Sequence, residues 1–262
     1  MRIAHLSDLH LGARSHGAEP DPAAGPLLVE VLTRRVLAGA GDGAPYDGAL
    51  IAGDVFERAR PDERVIRSFE AMLEVWHEAG IPVAVIAGNH DAESGCLPEL
   101  RLPPSARLLG LVGPETHVWA ESGVAVHGES IGRRDETRNL ALGYPDPVPG
   151  LVNIGLLHTS LDGARSKRVC APVAIDRLEV RGYDYWALGH VHERMTLGAS
   201  GRIAYSGSPA GRAGEESRPR GYLEVVFDRS EPGPARVALT GVDLQPVGEP
   251  AAMARTAARP SR

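Results

Sequence analysis

The chain has 262 residues, 34 acidic against 28 basic side chains, a formal charge of −6 and 43% hydrophobic content. At roughly 100–200 residues per domain that is one large domain or at most two small ones, apolar enough to argue against global disorder. No run of about 18 apolar residues is present to span a membrane, Met1 runs straight into an apolar stretch with no room for a secretory segment, and two cysteines are too few for a disulfide scaffold, so a cytoplasmic protein is expected.

The first apolar run, residues 3–7, reads as a strand. A Gly- and Pro-rich stretch over 12–25 leads to residues 26–37, where Leu27, Leu28, Val31, Leu32, Val36 and Leu37 predict a helix. A second loop, 39–48, precedes a strand at 49–52. Residues 62–78 carry Val65, Phe69, Met72, Leu73 and Trp76 at three- and four-residue spacing, with Asp62 as N-cap and Gly80 as stop. Strands come next at 82–87 and 124–127, a short helix at 135–142 ended by Gly143 and Pro145, and strands at 152–157 and 185–188. Beyond Arg202 the pattern is strand only, at 202–206, 221–227 and 235–240, and residues 248–262 read as a frayed tail. This alternation predicts an α/β fold without internal repeats and with no domain boundary before about residue 230.

The residues that end the apolar runs are informative. Residues 3–7 end in Asp8-Leu9-His10, 49–52 in Gly53-Asp54, and 83–87 in Gly88-Asn89-His90-Asp91. Later runs end in His158 and in Gly189-His190-Val191-His192. The carboxyl ends of strands in an open α/β sheet line the functional crevice, so these groups converge on one edge. Their oxygen and imidazole donors, without thiolate, suit Mn, Fe or Zn. Asp8-x-His10 and His190-x-His192 put two donors each on one face of an extended strand end. Asp8, His10, Asp54, Asn89, His158, His190 and His192 are too many for one tetrahedral ion. Two ions sharing a bridging carboxylate would use them all, an arrangement suited to phosphoester hydrolysis.

These motifs together resemble the five-part signature of the calcineurin-like metallophosphoesterases over about residues 1–192. The resemblance implies a four-layer α/β/β/α sandwich. It implies that Asp8, His10, Asp54 and His192 hold one metal and that Asp54, Asn89, His158 and His190 hold the other, with Asp54 as bridge. It makes His90 and Asp91 the catalytic pair, His90 stabilising the transition state or protonating the leaving oxygen and Asp91 orienting it. The flanks of Asp8 and Asp54 resemble the SbcD branch of DNA repair exonucleases, and residues 153–160 and 182–190 its YhaO-like members, with similarity reaching about residue 230. That branch implies Mn-dependent cleavage of DNA phosphodiesters, with Fe or Zn also fitting the donors, an SMC-like ATPase partner and a homodimer. Two features depart from it: Ala213 stands where many such chains have His, and residues 231–262 leave space for a short strand and tail rather than a DNA-contacting cap.

Arg133, Arg134 and Arg212 are candidate substrate contacts near the mouth, and Arg165-Ser166-Lys167-Arg168 reads either as a phosphate contact or as a solvated loop. His5 and His127, inside apolar runs, read as core histidines, and Tyr185, Trp119 and Trp186 as packing residues. Two other functions compete with a DNA exonuclease. A stand-alone phosphodiesterase or phosphatase for nucleotides or small phosphoesters is favoured by the acidic charge. A non-catalytic subunit of a DNA repair complex is opposed by the full donor set and His90.

Overall fold

The computed structural model describes residues 1–13, 23–39, 44–57, 60–164, 166, 168–210, 220–230 and 234–244. Twelve strands form two sheets among them. The first sheet contains β1 (Arg2–Leu6), β2 (Gly48–Ala52), β3 (Val83–Ile86), β4 (Ala106–Leu108), β11 (Gly221–Asp228) and β12 (Arg236–Asp243), in the order β12-β11-β1-β2-β3-β4. Strands β1 to β4 run parallel, and the β11–β12 hairpin joins antiparallel to β1. The second sheet contains β5 (Glu115–Trp119), β6 (Val124–Gly128), β7 (Val152–His158), β8 (Tyr185–Gly189), β9 (Met195–Leu197) and β10 (Ile203–Tyr205). Its order is β5-β6-β7-β8-β10-β9, parallel from β6 through β10.

The unbroken apolar runs are explained by burial on both faces of each sheet. Side chains alternate along a strand, so Leu50, Ala84 and Ile86 turn inward against Val126, Ile154, Leu156 and Ala187 of the facing sheet. Their neighbours Ala49, Ile51, Val83 and Val85 turn outward onto α1 (Ala24–Ala38) and α2 (Glu63–Glu78), which contribute Leu32, Val36, Phe69, Leu73 and Trp76. The outer face of the second sheet packs Trp186, Leu188 and Tyr205 against Leu140, Tyr144 and α4 (Ile175–Glu179). Two mixed sheets sandwiched between helical layers match the expected α/β/β/α architecture. Asp62 caps α2 as expected, its carboxylate accepting from the Arg64 N–H at 2.8 Å.

The helix expected over residues 135–142 does not form; a single 3₁₀ turn at Leu140–Gly143 takes its place. Glu136 is buried, and its carboxylate accepts from the Arg138 backbone N–H at 2.9 Å and from the Arg138 guanidinium at 3.0 and 2.7 Å. The Glu136 carbonyl accepts from the Ala171 N–H at 2.8 Å. These bonds tie the segment to a neighbouring loop and compete with helical pairing. Sequence reading also missed the three-residue strands β4 and β9, the edge strand β5, helix α4, and α3 (Asn89–Ser94), which begins inside the Gly-Asn-His-Asp motif. The tail expected at 248–262 lies outside the described residues.

Candidate metal centre

The carboxyl ends of β1, β2, β3, β7 and β8 meet at the seam between the two sheets. The approach is close enough to require glycine. A Cβ on Gly53 would lie 2.6 Å from His158 Nδ1, one on Gly88 would collide with the Asp54 carboxylate, and one on Gly189 would collide with the Ala52 carbonyl. Beyond the strands, the Asp8 N–H donates to the Gly53 carbonyl at 2.9 Å and the His10 N–H to the Asp54 carbonyl at 3.0 Å, which sets the two loops side by side. Asp8, His10, Asp54 and His190 all have positive φ, at 54°, 45°, 52° and 102°. Non-glycine residues held there cost about 1–3 kcal/mol each, and such strain concentrates at functional sites.

All seven expected donors gather here, in two groups that share Asp54. Asp8, His10 and His192 form one: the two imidazole Nε2 atoms stand 3.1 Å apart and lie 3.9 and 3.7 Å from Asp8 Oδ1. In the other, Asn89 Oδ1 lies 3.1 Å from both His158 Nε2 and His190 Nδ1. Asp54 sends one oxygen to each group, Oδ2 at 3.8 Å from His10 Nε2 and Oδ1 at 3.6 Å from His158 Nε2.

Hydrogen bonds behind the donors fix which nitrogen faces inward. His158 Nδ1–H donates to the Ala52 carbonyl at 2.9 Å, leaving Nε2 as the inward lone pair. His190 Nε2 bonds Ser166 Oγ at 2.8 Å and the Arg168 carbonyl at 3.3 Å, leaving Nδ1 for the centre. Burial lowers both imidazole pKa values, that of His190 to about 3, so both rings are neutral donors at neutral pH. Burial raises the Asp8 carboxyl to about 6, and burial together with the nearby Asp91 raises Asp54. Among the described residues no Arg or Lys pairs with either carboxylate. Buried carboxylates without a basic partner, ringed by inward lone pairs, fit divalent cations.

The Asp91 carboxylate is engaged by backbone N–H groups rather than by the His90 ring. It accepts those of Val55, Phe56 and Gly88 at 3.1, 2.8 and 2.9 Å, bracing the loop that carries Asp54. The group on His90 is Glu57: Glu57 Oε1 lies 2.5 Å from His90 Nδ1, and Glu57 Oε2 lies 3.7 Å from His10 Nδ1. His90 Nε2 then faces Asp54 Oδ2 at 4.0 Å. Glu57 went unassigned in the sequence, although it closes the Gly53-Asp54-Val55-Phe56-Glu57 stretch that carries the SbcD-like flank.

The expected substrate arginines are engaged by acidic neighbours, Arg133 with Glu136 at 3.6 Å and Arg134 with Glu93 at 3.3 Å. Arg168 pairs with Asp135 at 2.8 Å. Arg212, Arg165 and Lys167 lie outside the described residues. His5 and His127 are core residues as expected: His5 bonds Tyr185 Oη and the Leu188 carbonyl, and His127 bonds Thr116 and Asn153.

Residues 1–194 match the calcineurin-like phosphoesterase family, a span that includes every strand end at the seam. The chain belongs to that family. As a calcineurin-like phosphoesterase it is a metal-dependent hydrolase of phosphoesters, and its relatives fall where the flanking sequences pointed. It is 29% identical over 232 residues to the uncharacterized metallophosphoesterase YhaO of Bacillus subtilis, across 86% of this chain and 57% of that protein. It is 28% identical to the DNA double-strand break repair protein Mre11 of Methanopyrus kandleri, across 87% and 54%. It is 23% identical to a subunit of the nuclease SbcCD of Escherichia coli K12, across 86% and 64%. The chain thus matches less than two thirds of the length of these relatives. No described helix is long and apolar enough to cross a membrane.

Proposed function

We propose that this phosphoesterase domain is a binuclear nuclease that hydrolyses DNA phosphodiester bonds, acting as an exonuclease in DNA repair. The observation that carries the two-ion reading is Asp54, whose two oxygens address two separate donor groups. Asp8, His10, Asp54 and His192 would hold one ion, and Asp54, Asn89, His158 and His190 the other, with Mn the metal we favour over Fe or Zn. Bound ions would supply neutralisation of the phosphate charge and activation of a water. His90, held by Glu57, faces the same space and is placed to hold or deliver a proton at Nε2 to the leaving oxygen. Asp91 supports the loop beneath. DNA as substrate is supported by the repair protein and the nuclease among the relatives. On this reading the hydrolytic domain is 1–230, with β12 adding an edge strand to its first sheet, and the protein acts in the cytoplasm, as a homodimer alongside an SMC-like ATPase.

One observation favours a second reading, hydrolysis of nucleotides or other small phosphoesters. The described arginines around the site, Arg133, Arg134 and Arg168, all have acidic partners, which weakens any grip on a polyanion. The deciding experiment is Mn-dependent nucleotide release from linear DNA, with His90→Ala alongside. Release by the wild type and its loss in the variant support the nuclease. Intact DNA together with cleavage of an activated small phosphodiester would replace it with the second reading.

A further inference from the structure

His192 stands on the loop that leaves β8 in the second sheet, its side chain 12% exposed. On one side the loop is held by the Ser208 N–H, which donates to the His192 carbonyl at 3.2 Å. On the other side Arg194, two residues on, reaches across to the first sheet. Its Nη1 donates to Asp243 Oδ1 at 2.8 Å and its Nη2 to the Val242 carbonyl at 3.4 Å, both on β12. The guanidinium lies against bare backbone. A Cβ on Gly241 would collide with Nη1 and come within 2.9 Å of Cζ, and a Cβ on Gly221 of β11 would lie 2.9 Å from Nη2. Gly241 thus leaves a seat for this one planar group, while a Cβ on Gly221 would first strike the Val242 carbonyl.

We propose that Arg194 is a positioning residue for the metal centre, latching the His192 loop to the β11–β12 hairpin so that the seating of this edge hairpin sets the Asp8–His10–His192 group. The inference rests on the reading of His192 as a metal ligand. The latch is more than its ion pair. Asp243 is 66% exposed, and pairs of that kind contribute little. Arg194 is 17% exposed, and the carbonyl and the glycine seat select its flat fork over an ammonium group. The strength of the latch therefore resides in the seat, and Asp243→Asn should leave metal affinity nearly unchanged.

The test is calorimetric titration of the metal-free full chain with Mn²⁺, alongside thermal unfolding of the same metal-free samples. Wild type is expected to bind two ions. Arg194→Ala is expected to weaken one of them by about 10–100-fold, the range for residues that orient a ligand from behind, and to leave the other as in wild type. Gly241→Ala, which displaces the guanidinium while keeping its charge, should reproduce the loss and serves if Arg194→Ala does not fold. Arg194→Lys should fall between. Two wild-type affinities in folded Arg194→Ala, or in Gly241→Ala where the first does not fold, would overturn the latch and leave the metal centre standing. A wild-type protein that binds no Mn²⁺ would overturn the metal centre itself, and the latch with it.

Discussion

At Asp54 a single carboxylate addresses both donor groups, so Asp54→Asn should reduce both metal affinities together, while substitution at Asn89 should affect one. Metal content per chain after Mn loading measures this, and two ions retained in Asp54→Asn would refute the shared bridge. The His90 ring meets two expected ligands without holding either, Asp54 Oδ2 at 4.0 Å and the His10 ring edge-on with centroids 4.7 Å apart. His90→Ala should accordingly keep its metals and lower turnover by about 10²–10⁴-fold, the span of general acid–base catalysis. Glu57→Gln keeps an acceptor near His90 Nδ1 but can present its amide NH₂ there as well, so the ring loses its fixed orientation. Its turnover should fall by about 10–100-fold, with KM little changed.

Among the elements, the strand termini do the assembling. Gly88 has φ of −90°, which alanine tolerates, yet its Cβ would collide with the Asp54 carboxylate and with the Asp54 backbone nitrogen. Gly88→Ala should retain the circular dichroism of the wild type and lose metal binding, which separates backbone strain from site crowding. On the far side of the same sheet, Phe69 of α2 is fully buried. Truncating it to alanine should cost about 3–5 kcal/mol in denaturant unfolding. The strands and their terminal donors were legible in the sequence because buried parallel strands write continuous apolar runs, and a polar residue that ends such a run is conspicuous. Helix α3 was not, because its residues 89–94 are short and polar, with no apolar period. The misread segment at 135–142 has helix-compatible residues; the helix is undone by the buried Glu136, whose partners Arg138 and Ala171 include one 35 positions away. Glu57 and Arg194 were hidden for the same reason, since their roles exist only once distant loops are adjacent.

For the molecule as a whole, a buried neutral histidine makes folding sensitive to acid. Burial lowers the His5 pKa to about 3, against an ordinary value near 6.5, although its bond to the Leu188 carbonyl works the other way. Between those values the unfolded chain takes up a proton that the folded chain refuses. Stability from this group is intact above about pH 6.5 and declines as pH falls toward 3. Urea unfolding from pH 7.5 to pH 4 should show a steeper loss for wild type than for His5→Gln. Equal slopes would mean that His5 does not titrate as its burial requires.

Asp8, His10, Asp54 and Asn89 come from the first sheet, and His158, His190 and His192 from the second. A nascent chain that has formed only the first sheet owns three donors of one group and two of the other, so neither group is complete. Cation capture, on the two-ion proposal, would then act as a checkpoint on sheet docking, adding mass-action stability only to chains whose two halves have closed in register. Under the two-ion proposal, metal depletion would lower the stability of the fold together with its activity.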